Sequence, residues 1–498
     1  MIGQFLDRLW RAGPASEIVL QSASTLMSRS ALLSEVRVQA ARLHASGIHT
    51  VALHADNGVE WIVSDLACQL AGIRIVPLPL FFSAAQLRHA ISGSGADALI
   101  TDAPAAVSDA GIACTLLTKE PWIGNASLYA LEPCPNVMLP PNTQKITFTS
   151  GTTGAPKGVC LSGAQLFAVV SSLAALIELP RPRHLCILPL STLLENLAGV
   201  YAPLQRGGTV IVPALDELGL LGSSGLDIGK LLKNVEAYQP NSLILVPEIL
   251  ERMVTAAENG WKPPASLQFV AVGGSKLAPT VLHRARRQGI PALERYGLSE
   301  CASVVSLNLP GAQRTGSVGR PLPHLQVGLR SGEIVVSGNT FLGYANQPES
   351  WHPASVETGD LGHIDTEGFI HIDGRAKAQI ITSFGRNVAP EWVESEIMAG
   401  PLLQQAFVFG DARPYCVALL QPREASTSDH CISVWINQVN RELPDYARVN
   451  RWCRLPQALN DNPDAWSSSG RPRREYVERA CHSAIDNMYE TENQVCNA

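Results

Sequence analysis

The sequence predicts an α/β protein built on parallel sheets, with a large N-terminal domain and a small C-terminal one. Three observations support this. Short apolar runs alternate with helical segments over residues 32–272, the pattern changes near residue 315, and a further mixed segment follows residue 377. At 498 residues the chain exceeds the roughly 250–300 residues at which a single hydrophobic core stops growing, so more than one domain is expected.

The first alternation ends at about residue 101. Apolar residues at helical spacing and short buried runs predict helix 32–44, strand 51–54, helix 61–72, strand 73–78, helix 87–94 and strand 98–101. Similar strand-like runs return at 185–188, 209–212, 242–246 and 269–272. Strands and helices alternating at this spacing favour parallel sheets covered on both faces, so we expect two such sheet subdomains.

Beyond residue 315 the pattern changes to short alternating strands. Those at 326–329, 333–336 and 369–372 are separated by turn residues, which indicates a small, distorted β-barrel-like subdomain. A mixed α+β segment then runs to a polar tail. We predict an N-terminal domain over residues 1–374, a hinge at 375–377, and a small mobile C-terminal domain over 378–498.

Composition and charge exclude several classes of protein. Charged residues make up 16% of the chain and hydrophobic residues 46%, as in a globular enzyme and unlike a disordered chain. The formal net charge of −6 gives no reason to expect nucleic-acid binding. Eleven cysteines, an odd number without a CxxC pair, favour the thiols of a reducing compartment over disulfides or a zinc site.

Targeting signals are not evident either. The first residues, Met1 to Arg8, lack the charged and apolar regions of a signal peptide. No uncharged apolar run reaches the roughly 18 residues that a membrane span needs. We therefore expect a cytoplasmic protein without a transmembrane segment, and peripheral membrane association stays open.

The most informative segment is a Gly- and Thr-rich loop at residues 149–158. It follows a strand-like run at 145–148 and precedes a helical pattern from about residue 165, which predicts strand, loop and helix in that order. Glycines allow successive backbone N–H groups to face one point, and hydroxyls and a lysine add donors and charge. The candidate phosphate ligands are Thr149, Ser150, Gly151, Thr152, Thr153, Gly154 and Lys157. The loop is not a GxxxxGK[ST] P-loop, and an ordinary surface turn is the alternative.

This loop resembles the phosphate-binding signature of acyl-adenylating enzymes: acyl-CoA synthetases, luciferases and nonribosomal adenylation domains. Two further motifs follow in family order. The strand before Gly273-Gly274-Ser275 would pass that segment against adenine. In the second motif, Tyr296 and Gly297 would stack the base, Ser299 would reach a phosphate, and Glu300 would hold Mg²⁺.

The resemblance extends to the junction between the two predicted domains. It implies that Asp360 accepts both ribose hydroxyls, that Arg375 contacts the same ribose, and that Lys377 is the pivot of a rotation between two half-reactions. It further implies that Gly385 lets a pantetheine arm pass close to the backbone. Together with Arg471, the residues Glu300, Thr152 and Lys377 form the implied catalytic set.

Two positions depart from the family pattern. Thr192 stands where fatty acyl-CoA synthetases usually have a histidine near the carboxylate. The neighbouring apolar residues suggest an apolar acyl pocket, although an ordinary helix core explains each of them equally well: Leu193, Leu194, Leu197, Ala198 and Val200. Arg471 stands where a lysine contacts the acyl carboxylate and the α-phosphate, and no lysine follows Lys377 that could substitute. Arginine keeps the charge but is a wide planar fork.

The resemblance thus implies an ATP- and Mg²⁺-dependent ligase. A carboxylic acid, fatty or otherwise apolar, would be converted to acyl-AMP and then transferred to the thiol of CoA or of a carrier-protein phosphopantetheine supplied in trans. Two alternatives stay open at this point. One is a weakened relative that binds nucleotide or acyl ligands without efficient adenylation, because of Arg471. The other passes the acyl group to an amine.

Overall fold

The computed structural model describes residues 1–132, 134–149, 156–221, 225–376, 380–383, 387–456 and 473–490. The strands are β1 Ile18–Gln21, β2 Leu26–Ser28, β3 Thr50–His54, β4 Arg74–Pro77, β5 Ala98–Thr101, β6 Cys114–Leu116, β7 Ser127–Leu131, β8 Lys145–Thr149, β9 Lys157–Leu161, β10 Arg183–Leu185, β11 Thr209–Ile211, β12 Leu220–Leu221, β13 Gly225–Leu226, β14 Ser242–Leu245, β15 Phe269–Val272, β16 Ala292–Tyr296, β17 Ser306–Leu307, β18 Arg320–Pro321, β19 Gln326–Arg330, β20 Glu333–Ser337, β21 Gly343–Tyr344, β22 Ser355–Ile364, β23 Ile370–Arg375, β24 Ile380–Ile381, β25 Asn387–Val388, β26 Leu403–Phe409, β27 Cys416–Pro422 and β28 Val449–Arg454.

The α-helices are α1 Ile2–Arg11, α2 Arg29–Ala45, α3 Val59–Ala71, α4 Ala84–Ser94, α5 Pro104–Asp109, α6 Gly163–Leu176, α7 Ala202–Gln205, α8 Ile228–Tyr238, α9 Pro247–Glu258, α10 Pro279–Arg287, α11 Pro390–Met398, α12 Asp429–Glu442, α13 Arg474–Ala480 and α14 His482–Glu490. Short 3₁₀ turns occur at Ser299–Cys301, Pro348–Ser350 and Asp445–Ala447, and a π-helical segment at Glu195–Tyr201. No described helix is long and apolar enough to cross a membrane.

The large domain contains two mixed sheets with parallel centres, which confirms the predicted fold class. Sheet I has the strand order β21-β9-β8-β4-β3-β5-β7-β6, and sheet II has the order β18-β17-β16-β15-β14-β10-β11-β1-β2. The centres of both sheets pair in parallel, whereas the edge strands pair antiparallel. Helices cover the faces, and one continuous hydrophobic core joins the two sheets.

Local sequence explains where the helices begin. Ser83 and Ser162 each form a capping box. The serine hydroxyl accepts a hydrogen bond from the backbone N–H of Gln86 or Gln165, and the side-chain oxygen of that glutamine accepts one from the serine N–H. Such caps satisfy backbone N–H groups that would otherwise lack partners at a helix start. This fixes the start of α6, which follows the phosphate-loop segment.

The remaining sheets are small. Strands β19, β20, β22 and β23 form an antiparallel sheet that carries Asp360 and Arg375. In the C-terminal part, β26, β27 and β28 form a three-stranded sheet, and β24 pairs with β25. Two hydrophobic clusters in that part contain only residues from Ile380 onward. The C-terminal part contacts the large domain through Arg423, whose Nη1 lies 2.5 Å from Glu248 Oε1, and through Ala399, whose carbonyl accepts from Arg284 at 2.7 Å.

Candidate active site

The phosphate-loop segment sits in a hairpin. Strands β8 and β9 pair antiparallel, with Thr149 opposite Lys157, and α6 begins only after β9. The predicted order of strand, loop and helix was therefore wrong, because a returning strand separates the loop from the helix. Lys157 is the first residue of β9, while Ser150, Gly151, Thr152, Thr153 and Gly154 lie outside the described residues.

Tyr344 links two of the predicted site residues. The Nζ atom of Lys157 lies 4.9 Å from the centre of the Tyr344 ring, within the range of a cation–π contact. The Tyr344 hydroxyl donates a hydrogen bond to Glu300 Oε1 at 2.9 Å. Burial, with the nearby Glu300 carboxylate, raises the pKa of Tyr344, so the phenol stays protonated and remains a donor. Lys157, Tyr344 and Glu300 thus form one connected group beside the hairpin.

A second connected group is centred on Asp360. The Tyr296 hydroxyl donates to Asp360 Oδ2 at 2.5 Å, and Arg375 Nε lies 2.8 Å from Oδ1. Arg375 also donates to the Thr358 carbonyl at 3.1 Å. Burial raises the pKa of Asp360, and the charge of Arg375 and the bond from Tyr296 oppose that effect. Because a carboxylate has about four lone-pair positions, Asp360 keeps acceptor capacity for a ligand.

The glycines of the site permit close backbone approaches. A Cβ on Gly273 would lie 2.6 Å from Arg295 Nε, and one on Gly297 would lie 1.7 Å from the Ser303 carbonyl oxygen. Gly274 has a φ of 107°, which disfavours any side chain. Ser275 is exposed beside it, and Ser299 begins the 3₁₀ turn that carries Glu300. Part of the glycine pattern is therefore explained by packing within the protein.

An apolar cavity of about 40 Å³ lies between sheet II and the helices α6 and α7. Its wall includes Leu194 and Ala198, together with Ala271 and Phe269 from β15. The predicted pocket residues Leu193 and Leu197 are buried at 6% and 0% exposure but do not line this cavity. Leu194 and Ala198, four residues apart, thus share a face that lines the cavity, while Leu193 and Leu197 share the neighbouring face and belong to the core.

A buried polar trio stands beside this cavity. His184 and Ser242, on neighbouring parallel strands, are both in the wall, and the His184 Nδ1 to Ser242 Oγ distance is 3.0 Å. His184 Nε2 lies 2.9 Å from Glu195 Oε1, at the start of the π-helical segment. Gly199 leaves room for this contact, since a Cβ there would lie 2.5 Å from Glu195 Oε1. No local sequence pattern indicates this trio.

Thr192 lies just before the π-helical segment. Its hydroxyl donates to the Pro189 carbonyl at 2.6 Å, and its own carbonyl accepts from the Asn196 amide at 3.1 Å. Thr192 is half-buried. The hydroxyl therefore stabilises the turn in which a histidine is usual in the resembling family.

A network of buried side chains, called the sealed network below, contacts the first strand of the hairpin. Lys145, the first residue of β8, has its Nζ 2.9 Å from Asp65 Oδ1 and 2.5 Å from Asn196 Oδ1. Asn196 and the Tyr201 hydroxyl each donate to Asp65 Oδ2 at 2.9 Å. Lys145 and Asp65 are both fully buried. The network connects the phosphate-loop strand to α3 and to the π-helical segment.

Four predicted catalytic or channel residues lie outside the described residues: Thr152, Lys377, Gly385 and Arg471. The structure brings together Lys157 and Glu300 in one group and Tyr296, Asp360 and Arg375 in another. Sequence reasoning gave Tyr344 no role. Its signal was the aromatic residue of the Gly343-Tyr344 pair, which forms β21 and pairs with β9.

Comparison with protein families gives two matches that together span most of the chain. Residues 8–344 match the family described as AMP-binding enzyme, and residues 377–493 match the family described as AMP-binding enzyme C-terminal domain. The first match alone covers more than half of the chain.

Three curated relatives carry the names of CoA ligases. The 2-succinylbenzoate–CoA ligase of Bacillus licheniformis is 28% identical over 410 residues, covering 76% of this chain and 80% of the relative. The sulfoacetate–CoA ligase of Cupriavidus necator is 29% identical over 428 residues, covering 77% and 81%. A long-chain-fatty-acid–CoA ligase of Mycobacterium tuberculosis is 25% identical over 488 residues, covering 78% and 76%.

Two solved structures share the fold over nearly the whole chain. The o-succinylbenzoate CoA synthetase of Bacillus subtilis, in complex with its acyl-adenylate intermediate, has a TM-score of 0.73 at 23% identity, covering 95% of this chain and 97% of that one. An amide bond synthetase of Marinactinospora thermotolerans also has a TM-score of 0.73 at 23% identity, covering 96% and 99%.

Proposed function

This chain belongs to the AMP-binding enzyme family, and from that premise we propose that it activates a carboxylic acid as an acyl-AMP and then forms a CoA thioester. In the first step a carboxylate oxygen attacks the α-phosphorus of ATP, the bond to the β-phosphate breaks, and pyrophosphate leaves. In the second, a thiol displaces AMP. The observation that carries the proposal is the Asp360 group, in which Tyr296 and Arg375 converge on one buried carboxylate.

The proposed nucleotide roles are supported by the chemistry of the residues. Asp360 would accept ribose hydroxyls with the lone pairs that Tyr296 and Arg375 leave available, while Gly273, Gly274 and Ser275 would lie beside the base. Thr149 to Gly154 and Lys157 would hold the β- and γ-phosphates. Oriented donors and one cation suit a reaction whose catalysis is mostly positioning and charge stabilisation.

Glu300 fits a magnesium ligand. Its carboxylate accepts only one described hydrogen bond through its side chain, from Tyr344, so oxygen lone pairs remain for a hard cation. Mg²⁺ bound with ATP there would neutralise phosphate charge. Tyr344 would then orient Glu300, and Lys157, beside the same ring, would place a second positive charge near the phosphates.

The acid is proposed to be compact and largely apolar. The cavity beside the site is small, and its walls are mostly aliphatic. A second candidate is an acid that carries a further anionic group, favoured by one observation: Arg295, directly before Tyr296, is among the wall residues. Two of the relatives are named for such acids, succinylbenzoate and sulfoacetate.

The acceptor is proposed to be the thiol of CoA. A carrier-protein phosphopantetheine is the close alternative, and in either case Gly385 would let the pantetheine arm pass close to the backbone. An amine acceptor is a further candidate, since a protein of similar fold is an amide bond synthetase. The relatives give no support to a protein that lacks activity.

The domain arrangement is part of the proposal. Residues 1–374 would carry the nucleotide, residues 375–377 would act as a hinge at Lys377, and residues 378–498 would deliver Arg471 for the first step and Gly385 for the second. Lys276 lies next to this hinge, with Nζ 3.0 Å from the Ile372 carbonyl and 3.2 Å from that of Asp373. Arg471 would neutralise the reacting carboxylate and α-phosphate.

The test is ATP–pyrophosphate exchange with a panel of fatty acids, aryl acids and dicarboxylic or sulfonated acids, on the native protein and on Arg471→Lys. Exchange by the native protein would establish adenylation and name the acid. Exchange by Arg471→Lys alone would mean a weakened first step, and thioester formation from supplied acyl-AMP would then be measured. If neither the native protein nor Arg471→Lys catalysed exchange although both bound ATP, the proposal would be contradicted.

A further inference from the structure

A third potential metal ligand lies beside the buried pair of His184 and Glu195. Cys186 directly follows β10, and its amide donates to the Ile211 carbonyl at 2.9 Å, so the sheet pairing of β10 continues through it. Because residues two apart on a strand point to the same face of a sheet, His184 and Cys186 share one face, which the π-helical segment covers. Each of His184, Cys186 and Glu195 offers a ligand atom within 4.8 Å of the other two, the only such group of three in the described part of the chain.

The lack of a side chain at Gly199 leaves room where these ligand atoms converge. A Cβ at this position would lie 2.5 Å from Glu195 Oε1 and 2.8 Å from His184 Nε2. The Cys186 sulfur lies 3.9 Å from the carbonyl oxygen of the same glycine. Coordination bonds from zinc to nitrogen, oxygen and sulfur are about 2.0–2.3 Å long, so an ion needs only small shifts of these side chains to fit between them.

Glu195 points independently to a bound cation. Its side chain is 0% exposed, and although Oε1 lies 2.9 Å from His184 Nε2, no N–H or O–H group of the described residues donates to Oε2. No described lysine or arginine forms an ion pair with this carboxylate, whose one described ionic partner is His184. A buried carboxylate oxygen without a donor is unfavourable, and a cation beside it would satisfy it.

Ser242 supports the imidazole of His184 from its other side. The Ser242 Oγ lies 3.0 Å from His184 Nδ1, and Ser242 belongs to β14, the strand that pairs in parallel with β10. When Nδ1 carries the ring proton and donates to Ser242, the lone pair of Nε2 faces Glu195 and Gly199 and is available to a metal ion. A hydrogen bond of this kind fixes the tautomer and the ring orientation of histidines that bind metals.

We propose that His184 Nε2, Cys186 Sγ and Glu195 Oε2 bind one Zn²⁺ ion. A thiolate together with an imidazole favours zinc over Mg²⁺, which prefers oxygen ligands. One thiolate and one carboxylate balance the charge of Zn²⁺, so the assembled site is neutral and can be buried. Binding releases the proton of the Cys186 thiol to solvent. The Nε2 and Oε1 atoms, 2.9 Å apart, are closer than the roughly 3.3 Å between two ligands of tetrahedral zinc, so Oε2 is the expected carboxylate ligand.

The ion would join two segments of the large domain. His184 lies on β10 of sheet II and Cys186 directly after it, whereas Glu195 and Gly199 belong to the π-helical segment, which also carries Tyr201 of the sealed network. Because its ligand atoms are buried, the ion binds as the chain folds and stabilises the folded state. Three protein ligands leave the fourth position to water. The site uses no residue of the proposed nucleotide site, so it can be tested without the ligase reaction.

The test is expression of the full chain in minimal medium supplemented with Zn²⁺ or with Co²⁺, followed by metal analysis and absorption spectra of the purified protein. The native protein is expected to hold about one ion per chain, and its cobalt form to show the visible bands of tetrahedral Co²⁺ and a thiolate-to-cobalt charge-transfer band. Cys186→Ser should lose the charge-transfer band, and Ser242→Ala should lower zinc affinity about tenfold. Cys160→Ser is the matched control, because Cys160 is also fully buried and its sulfur lies 3.8 Å from a glycine carbonyl oxygen, that of Gly158. It should bind both metals as the native protein does.

Three results would overturn the proposal: native protein purified without zinc or cobalt, a charge-transfer band that persists in Cys186→Ser, or loss of that band in Cys160→Ser. Should Cys186→Ser fold poorly, Glu195→Gln is the substitute, because the amide keeps the shape of the side chain and removes its charge. Removing zinc with a chelator should lower the melting temperature of the native protein by about 3 °C and that of Glu195→Gln by less. Equal shifts in these two proteins would show that the ion is bound elsewhere, and the proposal would fail.

Discussion

Two buried carboxylates of the large domain have similar partners but different surroundings. Asp65 is held by the cation of Lys145 and the hydroxyl of Tyr201, and Asp360 by the cation of Arg375 and the hydroxyl of Tyr296. The Lys145 side chain is 0% exposed, whereas that of Arg375 is 57% exposed. A sealed group of this kind can only stabilise the fold, whereas an open one can exchange partners with a ligand.

This comparison predicts that the first carboxylate governs stability and the second governs activity. The largest expected effect is on folding, from Asp65→Ala. Removing Asp65 leaves the Lys145 ammonium buried without its counter-ion, which typically costs about 3–5 kcal/mol. The melting temperature and the apparent free energy of unfolding in urea would both fall.

A paired variant sharpens this prediction. Asp65→Leu combined with Lys145→Met removes both charges, and we expect it to be more stable than Asp65→Ala, since no unpaired charge remains. A loss below about 1 kcal/mol for Asp65→Ala, in the range of an exposed ion pair, would mean that the network is not sealed in solution.

The second prediction concerns Asp360→Asn. The amide keeps the shape but loses the charge that holds Arg375 and would accept ribose hydroxyls, so ATP–pyrophosphate exchange should fall about 10²–10³-fold. The melting temperature should change by less than about 2 °C, because one side of the group is already open to solvent. Asp373→Asn, an exposed carboxylate on the neighbouring strand β23, is the control. Equal activity of the two variants would contradict the assigned role.

Local structural elements were predicted from the sequence more accurately than contacts between distant residues. Strands such as β5 and β15 could be placed to the residue, because buried parallel strands are short apolar runs between turns. The β8–β9 hairpin was missed, since its glycines and Lys157 also suit a loop that leads directly into a helix. The contact of Lys145 with Asp65 spans 80 residues, and nothing local in the sequence encodes it.

The π-helical segment shows a second limit. The apolar run from Leu193 to Val200 suggested a pocket as a whole, and the sequence did not distinguish the members that face one. In the structure Leu194 and Ala198 line the cavity, whereas Leu193, Leu197 and Val200 are buried outside it. The site motifs were easier to find, because Tyr296, Glu300 and Asp360 each sit in a short distinctive sequence, but which of them touch one another could only be seen in three dimensions.

A third prediction tests a carboxyl that lacks a cation in direct contact. Glu294, on β16 two residues before Tyr296, is buried, and this raises its pKa from 4.5 to about 8, against weaker opposing effects of the Gly316 backbone, Arg286 and Lys276. The folded state therefore binds a proton that the unfolded state has lost between these pH values. Stability should fall as pH rises from about 5 to about 8, by a few kcal/mol in total.

Glu294→Gln removes this dependence. The variant should match the native protein near pH 5 and be more stable than it above pH 8, as judged by melting temperatures across that range. Parallel curves for the two proteins would show that Glu294 is ionised in the folded state. Asp360, whose pKa is also raised by burial but which has Arg375 beside it, should contribute less to the slope.

The smallest expected effect tests whether the open region, meaning the solvent-exposed group around Asp360 that can bind a ligand, extends to Tyr344. Tyr344→Phe keeps the ring beneath Lys157 but removes the hydroxyl that donates to Glu300, a bond to a charged group of about 1.5–3 kcal/mol. Glu300 would then be less well oriented, and we expect the KM for MgATP in the exchange assay to rise about tenfold, with the melting temperature nearly unchanged. Tyr344→Leu, which also removes the ring, should lower activity further. If Tyr344→Phe instead lost stability and kept its KM, the bond to Glu300 would belong with the sealed Asp65 network, and the open region would be confined to Asp360 and its partners.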